Sequence, residues 1–222
     1  MKLVVSSKLN KNTIDINNYK KKELTSNTSV NLFISSSINS KKDIILSFKK
    51  IRAIKKYTDK KNIVIKNIYV FDNPLIDELR AVITALDIDD IEKRYRFIYD
   101  YVCSYLDNEF RNKNICDFKN NMCRCNREKC KDKQVSSCCE SLKSRKICEN
   151  FDNEKKECKI KSLGCKLFVC PYLIKKGYYY RTGNVPYLKY LLSPRQKLIA
   201  LTSHFKDKDE NVNKMIKFYK LP

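Results

Sequence analysis

Residues 116–148 read CDFKNNMCRCNREKCKDKQVSSCCESLKSRKIC and residues 158–170 read CKIKSLGCKLFVC. These runs decide how the chain is divided. They hold Cys116, Cys123, Cys125, Cys130, Cys138, Cys139, Cys148, Cys158, Cys165 and Cys170, and the one other cysteine, Cys103, lies just ahead of them. No cysteine occurs in residues 1–102 or after 170. Cysteines serving only as small hydrophobes would be scattered, so this confinement points to metal. Zinc and iron–sulfur clusters both take thiolates as soft ligands, and both need several positions brought to one point.

The spacing suggests two groups. Cys123-x-Cys125-x4-Cys130 is one tight knot, and Cys138-Cys139 with Cys148, Cys158, Cys165 and Cys170 is a second. Side chains of adjacent cysteines diverge, so one of Cys138 and Cys139 is a spare or each serves a different site. The single histidine, His204, lies beyond the cluster inside an expected helix, which favours all-cysteine ligation. Neither a ferredoxin nor a zinc-ribbon spacing is present. Zinc is the preferred reading, and an iron–sulfur cluster is the alternative.

The run Cys138-Cys139 … Cys148 … Cys158-Lys159-Ile160-Lys161-Ser162-Leu163-Gly164-Cys165-Lys166-Leu167-Phe168-Val169-Cys170 resembles that of small uncharacterised cysteine-rich bacterial proteins, mostly clostridial. It is also similar to the putative zinc- or iron-chelating domain family, in which a double cysteine and later single cysteines gather a metal. The resemblance covers residues 116–173 and implies metal binding. The chain lacks that family's compact Cys-x-x-Cys approach to the double cysteine.

Outward from this stretch, regular patterns resume on both sides. Residues 1–39 alternate short apolar runs with Ser, Asn and Lys clusters, which reads as strands and loops, with a solvated loop over 17–27. Ser40 and Asp43 form a capping-box pattern, and Ile44, Phe48, Ile51, Ile54 and Tyr57 follow at helical spacing over 41–58. Residues 62–71, rich in β-branched side chains, predict a buried strand ended by Asp72-Asn73-Pro74. A helix is expected over 75–86. A second should begin near Asp89-Asp90, with Ile91, Tyr95, Ile98, Val102 and Tyr105 as its core stripe. Cys103 sits one position round from that stripe and reads as a buried structural thiol.

Between 112 and 153 the apolar periodicity stops. A segment that long without a hydrophobic face needs another staple, which metal can supply. The pattern returns over 160–173, where residues 165–170 suit a strand or a short helix ending at Pro171. Beyond it, Ser193-Pro194 opens a helix whose Leu198, Leu201 and Phe205 should face inward, and a last helix over 210–219 carries Val212, Met215, Ile216 and Tyr219. The expected architecture is α+β: a small sheet with amphipathic helices over 1–111, a cysteine-rich, metal-stapled region over 112–173, and a helical segment over 174–222.

The formal charge of +22 favours a polyanionic partner such as nucleic acid or an anionic membrane surface. Codon bias of a low-GC genome accounts for part of that lysine excess. Lys42, Lys49, Arg52, Lys55 and Lys56 on the first helix suit phosphates or simply a solvated face. Tyr178-Tyr179-Tyr180, flanked by Lys175, Lys176 and Arg181, suits base stacking or a strand of alternating exposure. The only apolar run at the start is Leu3-Val4-Val5, against the roughly 7–15 apolar residues of a secretory signal. No later window approaches the ~20 of a membrane span. A cytoplasmic location is therefore expected, where thiols stay reduced.

Three glycines cannot build a phosphate loop or dinucleotide fingerprint. Nothing near His204 marks a nucleophile relay, and Asp87, Asp89, Asp90 and Glu92 suit a helix start rather than paired acid–base work. Residues 206–209 lack the glycine usual in a helix-turn-helix. The leading expectation is a metal-binding protein of structural or sensory role. A metal-stabilised nucleic-acid-binding protein and an iron–sulfur redox enzyme or accessory are the alternatives, and apolar helix faces leave room for a protein partner.

Overall fold

A computed structural model describes residues 1–6, 13–17, 29–34, 38–117, 150–152, 154–155 and 157–218. They form two compact units, Met1–Asp89 and Asp90–Pro222. No helix among the described residues is long and apolar enough to cross a membrane.

The first unit is built on a sheet of four parallel strands, β1 (Lys2–Val5), β2 (Thr13–Asp15), β3 (Ser29–Phe33) and β4 (Val64–Val70), in the order β1-β4-β3-β2. Parallel neighbours cannot be joined by a tight turn, and α1 (Lys41–Lys60) supplies the crossover from β3 to β4. The capping box read at Ser40 is present: the Asp43 carboxylate accepts the Ser40 amide at 2.8 Å, and Ser40 Oγ accepts the Asp43 amide at 3.3 Å. The helix stops where Asn62 takes a left-handed φ of 55°. There the Ile63 amide donates to Thr58 O at 2.9 Å and the Asn62 amide to Asp59 O at 3.3 Å, the paired bonds of a Schellman ending.

Ile44, Phe48, Ile51 and Ile54 of α1 are buried as their spacing required, together with Val30 and Leu32 of β3 and Ile65, Ile68 and Val70 of β4. A second helix, α2 (Ile76–Asp87), packs on α1 and β1 through a face that includes Leu79, Val82, Ile83 and Leu86.

The second unit is organised on α3 (Ile91–Lys113), opened by Asp90, whose side chain accepts the Lys93 amide at 2.8 Å. Its buried stripe is Tyr95, Ile98, Tyr99, Val102, Cys103 and Leu106. Tyr99 and Leu106 lie deeper than Ile91 and Tyr105, which are half-buried. A two-stranded hairpin follows, β5 (Phe151–Asp152) with β6 (Glu157–Cys158), its turn closed by the Asp152 carboxylate on the Glu154 and Lys155 amides, both at 3.0 Å.

Residues 165–170 resolve as part of a short helix, α4 (Leu163–Leu167), and an extended link into α5 (Pro171–Lys175). Then come α6 (Pro186–Leu191), α7 (Pro194–Thr202) and α8 (Lys208–Lys217). Helix α3 packs against α4, α6 and α8, and α7 against α4 and α8.

Three expectations for this unit are corrected. Leu198, Leu201 and Phe205 do not face inward: Leu198 is 60% and Phe205 62% exposed, while Gln196 and Ala200 carry the inner face of α7. Gln196 can lie there because its amide is fully used. Its Nε2 donates to Tyr95 Oη at 2.7 Å and Met215 O at 2.9 Å, and its Oε1 accepts the Ser193 amide at 2.9 Å. His204 lies in the turn after α7, not within a helix. The tyrosine run at 178–180 is not a strand, although Tyr180 is buried and Tyr179 exposed. The expected position of Tyr219 lies outside the described residues, as does most of the loop read over 17–27.

Candidate metal centre

The structure describes Cys116, Cys158, Cys165 and Cys170 of the ten ligand candidates, whereas Cys123, Cys125, Cys130, Cys138, Cys139 and Cys148 lie outside the described residues. Cys158 ends β6, its backbone paired with Phe151. Among the described residues no group of three or more His, Cys, Asp or Glu side chains stands together as a metal cage.

Cys165 is the best-defined candidate. It sits in α4, whose start is fixed by Ser162, buried, with its hydroxyl donating to Ser203 O at 2.9 Å. The residue before Cys165, Gly164, lies so close to the turn after α7 that an added Cβ would stand 2.8 Å from the Ser203 carbonyl carbon and 3.0 Å from the His204 amide nitrogen. That approach brings the Phe205 amide onto Cys165 Sγ, a donor distance of 3.2 Å. A backbone N–H aimed at sulfur stabilises the thiolate over the thiol, as hydrogen bonds around metal-bound thiolates do. Cys165 is also partly exposed.

Cys170 is buried at the end of the extended link, and its carbonyl accepts the Ile174 amide at 3.0 Å in the first turn of α5. Cys116 lies just past α3, in a turn where Asn114 and Asp117 both have φ near 40°. It stands by Tyr180, whose hydroxyl is pushed up to about 12 chiefly by burial, with charge on Glu109, Tyr178 and Cys116 adding to the effect. The Tyr180 ring packs on Phe110, centroids 5.0 Å apart.

Cys103 has a different character. Its thiol is buried in α3, lies 3.4 Å from Lys161 O as a donor, and is pushed up to about 12 mainly by that burial. Burial on the inner face of α3, with the thiol donating to a backbone carbonyl, is the setting of a packing residue.

The donors at Cys116, Cys165 and Cys170 fit a soft ion in chemistry, being thiols on the turn after α3, on α4 and on the extended link that follows it. The contact that singles out Cys165, with a backbone amide forty residues away, carries no sequence signal, since any residue but proline supplies that N–H.

Comparisons with protein-family models, curated proteins and solved structures found no match for this chain.

Proposed function

We propose that residues 112–173 bind metal through cysteine thiolates, with zinc as the ion and an iron–sulfur cluster as the alternative, in a structural or sensory role. The observation that carries this reading is the confinement of all eleven cysteines to residues 103–170 of a 222-residue chain. The amide donated to Cys165 Sγ supports it, since that bond favours the charged, ligating form of the sulfur. When bound, zinc supplies a four-coordinate crosslink for a stretch that has no apolar periodicity of its own.

Elemental analysis with a visible spectrum, on protein purified without oxygen, tests the proposal. One or two zinc per chain without colour is the expected result. Stoichiometric iron and sulfide with a brown chromophore would move the role to redox or oxygen sensing. Neither metal in stoichiometric amount would overturn the reading.

A second reading, nucleic-acid binding, is favoured by the charge of +22. In that reading the metal folds the chain and the basic surface meets phosphate. Its mark is binding to DNA or RNA that weakens steeply as salt is raised.

A further inference from the structure

A half-open cleft in the second unit, about 210 Å³, is lined by Leu167 and Leu201 at its apolar side and by Phe168, Tyr179, Arg181 and His204. Three observations define what it can hold. Its walls are mostly apolar and aromatic, with the Phe168 and His204 rings edge to face at 6.1 Å, so a flat, weakly polar body suits it better than a sugar or a free ion. One lining ring, that of Tyr179, is 47% exposed, with the Arg181 guanidinium 5.8 Å over it. It is lined by one cation, Arg181, and by Ile174, which the exposed Lys175 and Lys176 follow directly in the chain, in a protein of charge +22.

A flat aromatic body attached to negative charge is the chemistry of an unpaired nucleotide. Aromatic rings interleaved with cations are how single strands are held: rings stack on bases, which all present a π-face, and cations track the phosphates. A duplex keeps its bases stacked inside and cannot offer one to a cleft this small. We propose that the cleft receives an unpaired base of a single-stranded nucleic acid, stacked against Tyr179 and Phe168, with Arg181 and Lys175 on the flanking phosphates. The proposal rests on the second reading above, nucleic-acid binding, and deepens it by naming the form bound and the place; it uses no metal ligand.

Fluorescence anisotropy of the full chain, as purified, against a labelled single-stranded oligothymidylate and a duplex of equal length tests it at about 150 mM salt. The single strand should bind more tightly than the duplex. Tyr179→Ala should weaken the single strand between roughly five- and a hundredfold, the loss expected for one stacked base, and leave the duplex unchanged. Tyr179→Phe, which keeps the ring, should retain binding and guards against misfolding as the cause. Equal affinity for both forms, or a single-strand affinity indifferent to Tyr179→Ala, would show that charge alone binds and overturn the proposal, as would no binding at all.

Discussion

The backbone amide of Phe205 donates to Cys165 Sγ at 3.2 Å, and the contact exists because the residue before Cys165 has no side chain. Any Cβ at Gly164 would meet backbone of Ser203 under 3.0 Å away, and backbone cannot rotate aside as a flexible side chain can. The glycine therefore fixes the distance between α4 and the turn that follows α7.

Gly164→Ala reverses a usual sign. Within a helix, glycine to alanine ordinarily stabilises by about 0.5–1 kcal/mol, because alanine loses less chain entropy on folding. Here overpacking should win and destabilise the protein by roughly 1–3 kcal/mol. Urea unfolding of the purified chain checks this. A variant as stable as the parent would mean that the two segments separate without cost.

Tyr99→Phe removes one oxygen that serves three elements. The hydroxyl donates to Lys161 O at 2.9 Å and accepts the Leu163 amide at 3.0 Å and Asn211 Nδ2 at 3.0 Å. Asn211 keeps other partners in Lys206 O and Asp207 O, so the principal loss is the buried Leu163 amide. A cost of about 1–3 kcal/mol is expected, the range for a buried group left unsatisfied. A denaturation midpoint that does not move would show that water replaces the hydroxyl.

Much of the fold is written locally. Ser40 and Asp43 announce the start of α1, Ser193 and Pro194 that of α7, and the run of β-branched residues marks β4, because each signal depends on neighbours a few positions away. The order β1-β4-β3-β2 is not written this way, since alternation fixes which face of a strand is buried and not which strand lies beside it.

The inversion of α7 has another cause. Periodicity counts apolar residues, whereas the buried position is taken by Gln196, whose amide meets Tyr95 and Met215 across the unit. At the candidate centre the clustering of sulfur is plain in the sequence. Cys103 is legible too, as a buried thiol beside the α3 stripe, whereas the amide that meets Cys165 comes from a distant segment and leaves no mark in the sequence.

Cys103 should give the protein an alkaline weakness. Its thiol, ordinarily near 9.0, is raised to about 12 in the folded chain, so between those values the unfolded chain has lost a proton that the folded one retains. The unfolded chain then holds fewer protons than the folded one, and stability falls as pH rises through that window, with the contribution complete below about 9. Cys103→Ala should flatten this part of the stability curve. A variant with the parent's alkaline slope would assign that slope to other groups.

The same contrast separates the proposed ligand, Cys165, from the packing residue Cys103. Metal ligation needs thiolate, and Cys165 has a donor that favours it, while Cys103 is held protonated by burial. Cys165→Ser should lower the zinc bound per chain or weaken its retention against a chelator. Serine preserves size while replacing a soft sulfur by a hard oxygen, which suits zinc less well. Cys103→Ala should leave zinc content unchanged even though it costs some packing energy in α3. Competition with a chromophoric chelator, on variants shown to be folded by circular dichroism, gives both answers. Zinc lost with Cys103→Ala and kept with Cys165→Ser would reverse the two assignments and require the centre to be built on α3 instead.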